Sequence, residues 1–301
     1  MKFSIVEQTR LGARMVNQDR VAHWRTDESL LMVVADGLGG HPRGEVAAEI
    51  AVRVLGTTFE QEAQPKLEEP ELFLLRALWR AHAAILRETQ TLDLMDTPRT
   101  VLVACVVQDG HAYWTHIGDC RLYLYRQGRL AQRTRDHTLV QQLVDEGQLG
   151  EEALSTHPDR NRLLQCLGGY QLPRLEPVGK ARLAKDDVLV LCSDGFWAPL
   201  TPRQFVIALA TRPLADAIGE LVALAEARAG RECDNISVAA MAWGDDEIAR
   251  DAGPALAPEE LPTDVQDLSA TDLESLRMSD EDIEKAIAEI RAALRKNLPP
   301  Q

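Results

Sequence analysis

The amino-acid sequence predicts an α+β fold in which antiparallel β-sheets are faced by helices. Three observations carry that reading. Seven short runs are dense in apolar and β-branched residues, most of them come in adjacent pairs joined by tight polar turns, and three longer stretches repeat their apolar residues at helical spacing. Adjacent strands joined by a two- or three-residue turn double back on themselves, so hairpins are favoured over alternating crossover units.

The strand runs are FSIVEQ from Phe3, LLMVVA from Leu30, TVLVACVVQ from Thr100 and AYWTHIG from Ala112. RLYLYR from Arg121, VLVLCS from Val188 and ISVAAMAW from Ile236 complete the set. Several are nearly continuous in apolar residues, which implies burial on both faces. The turns are supplied by Gln108–Gly110 and Gln127–Gly128. The helical stretches are GEVAAEIAVRVLGTTF from Gly44, PELFLLRALWRAHAAILRETQ from Pro70 and PLADAIGELVALAEARAG from Pro213. In the second, Leu74, Leu78, Ala81 and Ile85 share one stripe. Residues 136 to 169 mix short helix signals with glycine and polar residues, which predicts an inserted surface subdomain.

A length of 301 residues, 45% hydrophobic and 27% charged, is enough for a buried core in one large domain or two smaller ones. The net charge of −14 argues against general affinity for nucleic acid or anionic lipid. No stretch approaches the roughly 18 apolar residues of a membrane span, and the N-terminus lacks a signal-like apolar run. A cytoplasmic location with no membrane insertion is the expectation. The five cysteines have neither metal-ligand nor redox spacing, and none heads a phosphate-cradling loop that ends in arginine.

Charge and composition change near Gly244, after which fifteen acidic residues face six basic ones. The segment GDDEIARDAGPALAPEELPTDVQDLS has a linker's composition. Beyond it, Ser279 is placed as an N-cap, and Ile283, Ile287, Ile290 and Leu294 form one stripe of an amphipathic helix. About four turns are marginal alone, so the stripe needs a partner, whether the domain before it, a second copy or another protein. The expected boundaries are therefore 1–244 for a catalytic domain and 245–301 for an acidic linker with a C-terminal helix.

The chemistry is carried by aspartates. Asp36 ends LLMVVAD, Asp119 follows WTHIG, Asp194 follows VLVLCS and Asp234 precedes NISVAAMAW, so each falls at the rim of a strand. Converging, half-buried carboxylates repel one another unless cations neutralise them. Taken singly, each could be an ordinary turn residue. Asp36 and Asp194 are each followed by glycine, where backbone can approach a ligand closely. Oxygen-only donors point to Mg²⁺ or Mn²⁺ rather than zinc.

Five segments in order, GARMVNQD from Gly12, VADGLGGHPRGE from Val34, HIGDCRLY from His116, CSDGFW from Cys192 and CDNISV from Cys233, resemble the type-2C (PPM) family of metal-dependent protein serine/threonine phosphatases, in its bacterial branch. The resemblance runs as far as Trp243. It implies two antiparallel sheets in a central sandwich flanked by helices, with the metal site at one end. It further implies two tightly bound Mn²⁺ or Mg²⁺ ions and a third, weaker one. Asp36 then bridges two metals, the Gly37 carbonyl binds one of them, Asp194 and Asp234 bind the other, and Asp19 acts through water. Asp119 joins Asp194 at the third metal, and Arg14 binds phosphate, a task suited to a guanidinium fork. The implied reaction is direct attack of a metal-bridging hydroxide on phosphoserine or phosphothreonine. The implied partners are phosphorylated proteins and a cognate bacterial Ser/Thr kinase.

Two departures from the family pattern stand out. Leu38 takes the place of a histidine that animal members carry in the Asp-Gly-His-Gly-Gly loop, which leaves His41, His137 or a metal-bound water as proton donor. Pro98-Arg99-Thr100 replaces the usual Gly-Thr-Thr, so the local backbone and substrate access differ. Phe196 and Trp197 read as core packing. A catalytically silent phosphoprotein-binding relative and an enzyme for small phosphoesters remain as rival readings.

Overall fold

A computed structural model describes residues 1–40, 43–91, 96–170 and 172–244. The expected C-terminal linker and helix, and His41, lie outside the described residues. Among the described residues, ten strands form two five-stranded sheets in which every pairing is antiparallel. The first sheet has β1 (Phe3–Arg10), β10 (Ile236–Trp243), β9 (Val188–Cys192), β6 (Arg121–Arg126) and β7 (Arg129–Arg133) in that order. The second has β2 (Asp19–Arg25), β3 (Ser29–Gly37), β4 (Thr100–Gln108), β5 (His111–Ile117) and β8 (Gly179–Arg182).

All seven expected strand runs form strands, and the hairpin turns are where the polar pairs predicted them. Asp109 and Gly110, and Gln127 and Gly128, all take positive φ, the backbone of a two-residue turn whose twist matches its strands. Three strands lie outside the apolar runs, and each has a physical reason. β2 is DRVAHWR and only partly buried, β7 is RLAQR and largely exposed, and β8 has four residues alternating in exposure. None presents a continuous apolar face to be read.

The three long helices are α1 (Gly44–Glu62), α2 (Pro70–Thr91) and α7 (Leu214–Ala229), as expected. Shorter helices are α3 (Leu139–Asp145) and α4 (Ala153–Thr156) between β7 and β8, and α5 (Asp194–Trp197) and α6 (Pro202–Thr211) after β9. The α6 helix carries a capping box between Thr201 and Gln204 with Pro202 in its first turn, a start signal that apolar periodicity alone overlooks.

Three apolar clusters show why the central strands are apolar on both faces. Between the sheets, Leu30, Met32, Val34, Val103 and Cys105 meet Leu122, Leu124, Leu189, Leu191 and Met241. The alternate residues Leu31, Val33, Leu102, Ala104 and Val106 face α1 and α2, packing on Ala51, Leu55, Phe59, Leu74, Leu78 and Ile85. On the other side Tyr123, Tyr125, Val190, Val238 and Ala240 pack against Phe205 of α6 and Ile218, Leu221 and Val222 of α7. The order is helix, sheet, sheet, helix. Side chains alternate across a strand, so a middle-layer strand must be apolar at every position. The polar ends of these strands are left at the rim of the sandwich, where the aspartates are.

Candidate metal centre

Each aspartate is fixed by the end of a strand. Asp19 opens β2 directly opposite Asp36, near the end of β3, so one antiparallel register brings two carboxylates together from residues 17 positions apart. In the other sheet, Ser193 and Asp194 follow β9 while Asp234 and Asn235 precede β10, and the Ser193 N–H donates to the Ser237 carbonyl at 3.0 Å. Asp119 follows β5, two residues before β6 begins.

Close backbone approaches explain two glycines. A Cβ at Gly37 would lie 2.3 Å from the backbone of Gly44, so the loop can fold onto the start of α1 only with glycine there. At Gly195 a Cβ would meet the Asn235 carbonyl at 2.0 Å, which is why α5 can begin against the strand that carries Asp234.

Arg14, Asp36, Gly37, Asp119, Asp194 and Asp234 all line one cavity of about 1040 Å³. Asp19 does not line it. It is 2% exposed, with Oδ2 accepting a 2.8 Å hydrogen bond from Ser193 Oγ. Several groups that the sequence did not single out hold the arrangement together. Asn235 accepts from the Gln18 N–H through Oδ1 at 2.8 Å and donates through Nδ2 to the Leu11 carbonyl at 2.8 Å, which stitches the loop bearing Arg14 to the strand bearing Asp234. Ser193 Oγ also accepts from the Ser237 N–H at 3.0 Å. An asparagine or serine beside a strand end is common, so only its partner, distant in sequence, reveals its task.

The carboxylates shift one another as the sequence anticipated. Burial pushes Asp19 up to about 7, with Asp194 and Asp234 adding to the rise against hydrogen bonds from Ser193 and Ser237. Burial, then the charge of Asp234, raises Asp194 to about 6. Asp36 is held well above the usual carboxylate range by burial and then by Asp19, Asp194, Asp119 and Asp234. Asp119 is held well above it by burial, then by Asp194 and Asp136. Such a constellation of mutually repelling acids is stable only with protons or cations among them.

A hard divalent cation fits these donors. Every candidate ligand atom is oxygen, and Oδ1 of Asp19 and Oδ1 of Asp194 are buried without a hydrogen-bond partner, each a lone-pair donor aimed at nothing in the protein. As the side chains stand, no three His, Cys, Asp or Glu among the described residues are arranged around a common point to hold a metal. The reason is local. Arg14 forks onto Asp234 with Nε to Oδ1 at 2.8 Å and Nη2 to Oδ2 at 2.7 Å, so both oxygens of that carboxylate are occupied.

Of the two candidate proton donors, His137 does not line the cavity. His41 lies outside the described residues, and no histidine lines the cavity among those described. His137 is buried and stacked on His116 with ring centroids 4.4 Å apart. Its Nδ1 accepts from the Gly118 N–H at 3.2 Å, and its own N–H donates to the Gly118 carbonyl at 2.8 Å. With Nδ1 accepting, the ring proton sits on Nε2, 3.5 Å from Glu176. Burial lowers His116 to about 4. Trp197, read as core packing, also has a polar duty: its Nε1–H donates to the Asp119 carbonyl at 3.0 Å. Arg121 lies 3.3 Å over the Trp197 ring and forks onto buried Asp136 at 2.7 and 2.6 Å. The backbone that presents Asp119 is thus held from both sides.

The family model described as protein phosphatase 2C matches residues 8–226. The chain belongs to the protein phosphatase 2C family. The relatives it resembles include the serine/threonine protein phosphatase PstP of Mycobacterium tuberculosis, 34% identical over 209 residues covering 69% of this chain. The chain spans only 39% of that relative's length. A putative 2C-type phosphatase of Streptococcus pyogenes is 32% identical over 243 residues, covering 79% of this chain and 96% of the relative. Among solved structures, a serine/threonine phosphatase of S. agalactiae covers 80% of this chain and 99% of its own, at 30% identity and a TM-score of 0.72. The catalytic domain of PstP in complex with two manganese ions covers 80% and 97%, at 27% identity and a TM-score of 0.68. In these protein phosphatase 2C relatives, as in this chain, two antiparallel sheets with flanking helices form the fold.

Proposed function

We propose that this chain is a metal-dependent protein serine/threonine phosphatase. The observation that carries the reading is the convergence of Asp19, Asp36, Asp119, Asp194 and Asp234 on one end of the sandwich, with two buried carboxylate oxygens lacking any partner. Supporting it, the relatives are named serine/threonine phosphatases, and one of them is a manganese complex.

On this reading Asp36, the Gly37 carbonyl, Asp194 and Asp234 would hold two cations, with Asp19 acting from beneath the cavity floor. Asp119 and Asp194 would hold a third. When bound, Mn²⁺ or Mg²⁺ supplies a hydroxide nucleophile for direct attack on phosphorus and neutralises developing charge. Arg14 holds two phosphate oxygens in the fork it now lends to Asp234, an arrangement a lysine cannot reproduce. No histidine is among the described lining residues, and the proposal assigns the proton of the leaving serine or threonine oxygen to water held in the cavity.

The same proposal takes phosphorylated proteins of the bacterial cytoplasm as substrates, in opposition to a Ser/Thr kinase. Among the described residues no helix is long and apolar enough to cross a membrane. The catalytic unit is assigned to residues 1–244, with an insert at 136–169 and a partner-binding or self-associating helix after the linker. The test is phosphate release from a phosphothreonine peptide with Mn²⁺, repeated with chelator. Release that stops with chelator and returns with metal supports the proposal, and release indifferent to metal refutes it.

A further inference from the structure

We propose that the part of the cavity lining formed by Arg99 and Arg174 is a second anion site, which selects substrates carrying an acidic side chain or a second phosphate close to the phosphorylated residue. The inference rests on the phosphatase reading above and names the substrate class of that same site. It begins with size: about 1040 Å³ far exceeds what one phosphoryl group and its cations fill, so the cavity has room for neighbouring residues of a bound chain.

The lining outside the aspartates is chemically unlike them. It presents Arg99 and Arg174 together with Leu164, Tyr170 and Leu172, whose exposures are 46%, 72% and 59%. Arg99 is this chain's departure at Pro98-Arg99-Thr100. Its backbone is fixed beside the metal loop, because its carbonyl accepts from the Leu38 N–H at 2.9 Å and the next residue, Thr100, pairs with Leu167. Its guanidinium meets Asp96 through one nitrogen at 3.1 Å and Thr97 through another at 3.4 Å, which leaves most of its five donors uncommitted. Arg174 is exposed, and its backbone N–H is anchored on Gln165 Oε1 at 2.8 Å. Among the described residues its guanidinium has no ion-pair partner.

Charge decides the ligand. The aspartates are answered by cations and the scissile phosphate by Arg14, so neither requires two further guanidiniums. Planar forks match carboxylate and phosphate, and exposed leucines with a tyrosine beside them favour an apolar neighbour in the same peptide. An extended peptide advances about 3.3 Å per residue, so an anion one to three residues from the phosphothreonine spans a cavity of this size. A carboxylate and a second phosphate share this chemistry, and the assay separates them.

The experiment uses the full chain with Mn²⁺ and four substrates: p-nitrophenyl phosphate, a phosphothreonine peptide with neutral flanks, the same peptide with Asp and Glu flanks, and a doubly phosphorylated version. The wild type should favour one or both anionic peptides over the neutral one by about tenfold in kcat/KM, mainly through KM. Arg99→Thr with Arg174→Ala should cut that preference to within about twofold, leaving the neutral peptide and the aryl phosphate unchanged. Arg174→Ala alone, at an exposed position, should remove part of it, which preserves the test if the double variant folds poorly. A wild type without preference overturns the inference and leaves the phosphatase reading standing, as does an equal loss on all four substrates in a folded variant. No turnover of even the aryl phosphate sinks both.

Discussion

Replacing Asp19 by asparagine should stabilise the metal-free protein at high pH, although the substitution falls inside the proposed metal centre. The Asp19 carboxyl is buried, Oδ1 has no partner, and burial with neighbouring charges raises it from 3.8 to about 7. A folded-state value above the unfolded one means that the native protein keeps a proton the unfolded chain has lost. The stability this residue contributes is therefore whole below about pH 4 and is lost as pH rises towards 7. The shift corresponds to roughly 4 kcal/mol at pH 8 and about 2 kcal/mol at pH 5. The amide carries its own cost of about 2 kcal/mol for a buried N–H₂ without an assigned partner. The variant should therefore match the wild type near pH 5 and exceed it by about 2 kcal/mol at pH 8, a rise in Tm of roughly 4–8 °C for a domain of this size. Burial also depresses His82 and His116, but both titrate alike in the two proteins and cancel in the difference. Thermal unfolding followed by circular dichroism in chelator, at half-unit steps from pH 5 to 8, measures it, and saturating Mn²⁺ should abolish the advantage. A variant no more stable than wild type at pH 8 in chelator would show that the protein accommodates this charge by itself, and the case for a cation there would fail.

Other outcomes follow from the same geometry. Asp36→Asn should lower kcat with Mn²⁺ by about a hundredfold or more while leaving the far-ultraviolet circular dichroism unchanged, since it removes charge and little volume. Asp119→Ala should lose only the weak phase of a calorimetric Mn²⁺ titration, with a depressed kcat that excess metal does not restore; full activity would return Asp119 to a turn residue. For Arg14→Lys, a raised KM on peptide and aryl phosphate alike is expected, because a point charge replaces a fork. His137→Asn keeps an acceptor near the Nδ1 position and should retain most activity, whereas His137→Leu strands the buried Gly118 N–H and should weaken the Asp119-dependent phase of the titration.

What the sequence disclosed depended on how loudly burial is written into it. The middle-layer strands are apolar on both faces, so β3, β4, β9 and β10 stand out as continuous runs, and α2 is equally plain from Leu74, Leu78 and Ile85. Strands with a wet face are quiet: DRVAHWR gives β2 no apolar signal, although it carries Asp19 opposite Asp36. The aspartates at strand rims were readable as a group, yet their partners Ser193 and Asn235 were not. Each acts on a residue 174 or 217 positions away, and local pattern cannot register that distance. His137 attracted a reading as proton donor because histidine suits the task. Its burial and its bonds to Gly118 give it a different one.

Those bonds also govern how the segment between β7 and β8 can move. At its start, Asp136 is clamped by Arg121 and His137 is bonded twice to Gly118. At its far end, Leu164 donates to the His137 carbonyl, while Leu163 and Leu167 bridge to Thr138 and Thr100. Both roots are stapled to the strands that present the aspartates, so the pivots of the insert lie inside it, after Thr138 and before Leu163. Residues 139–162, which bring only Gln142 and Asn161 to the cavity, should then tolerate changes in length while the strands below stay in register.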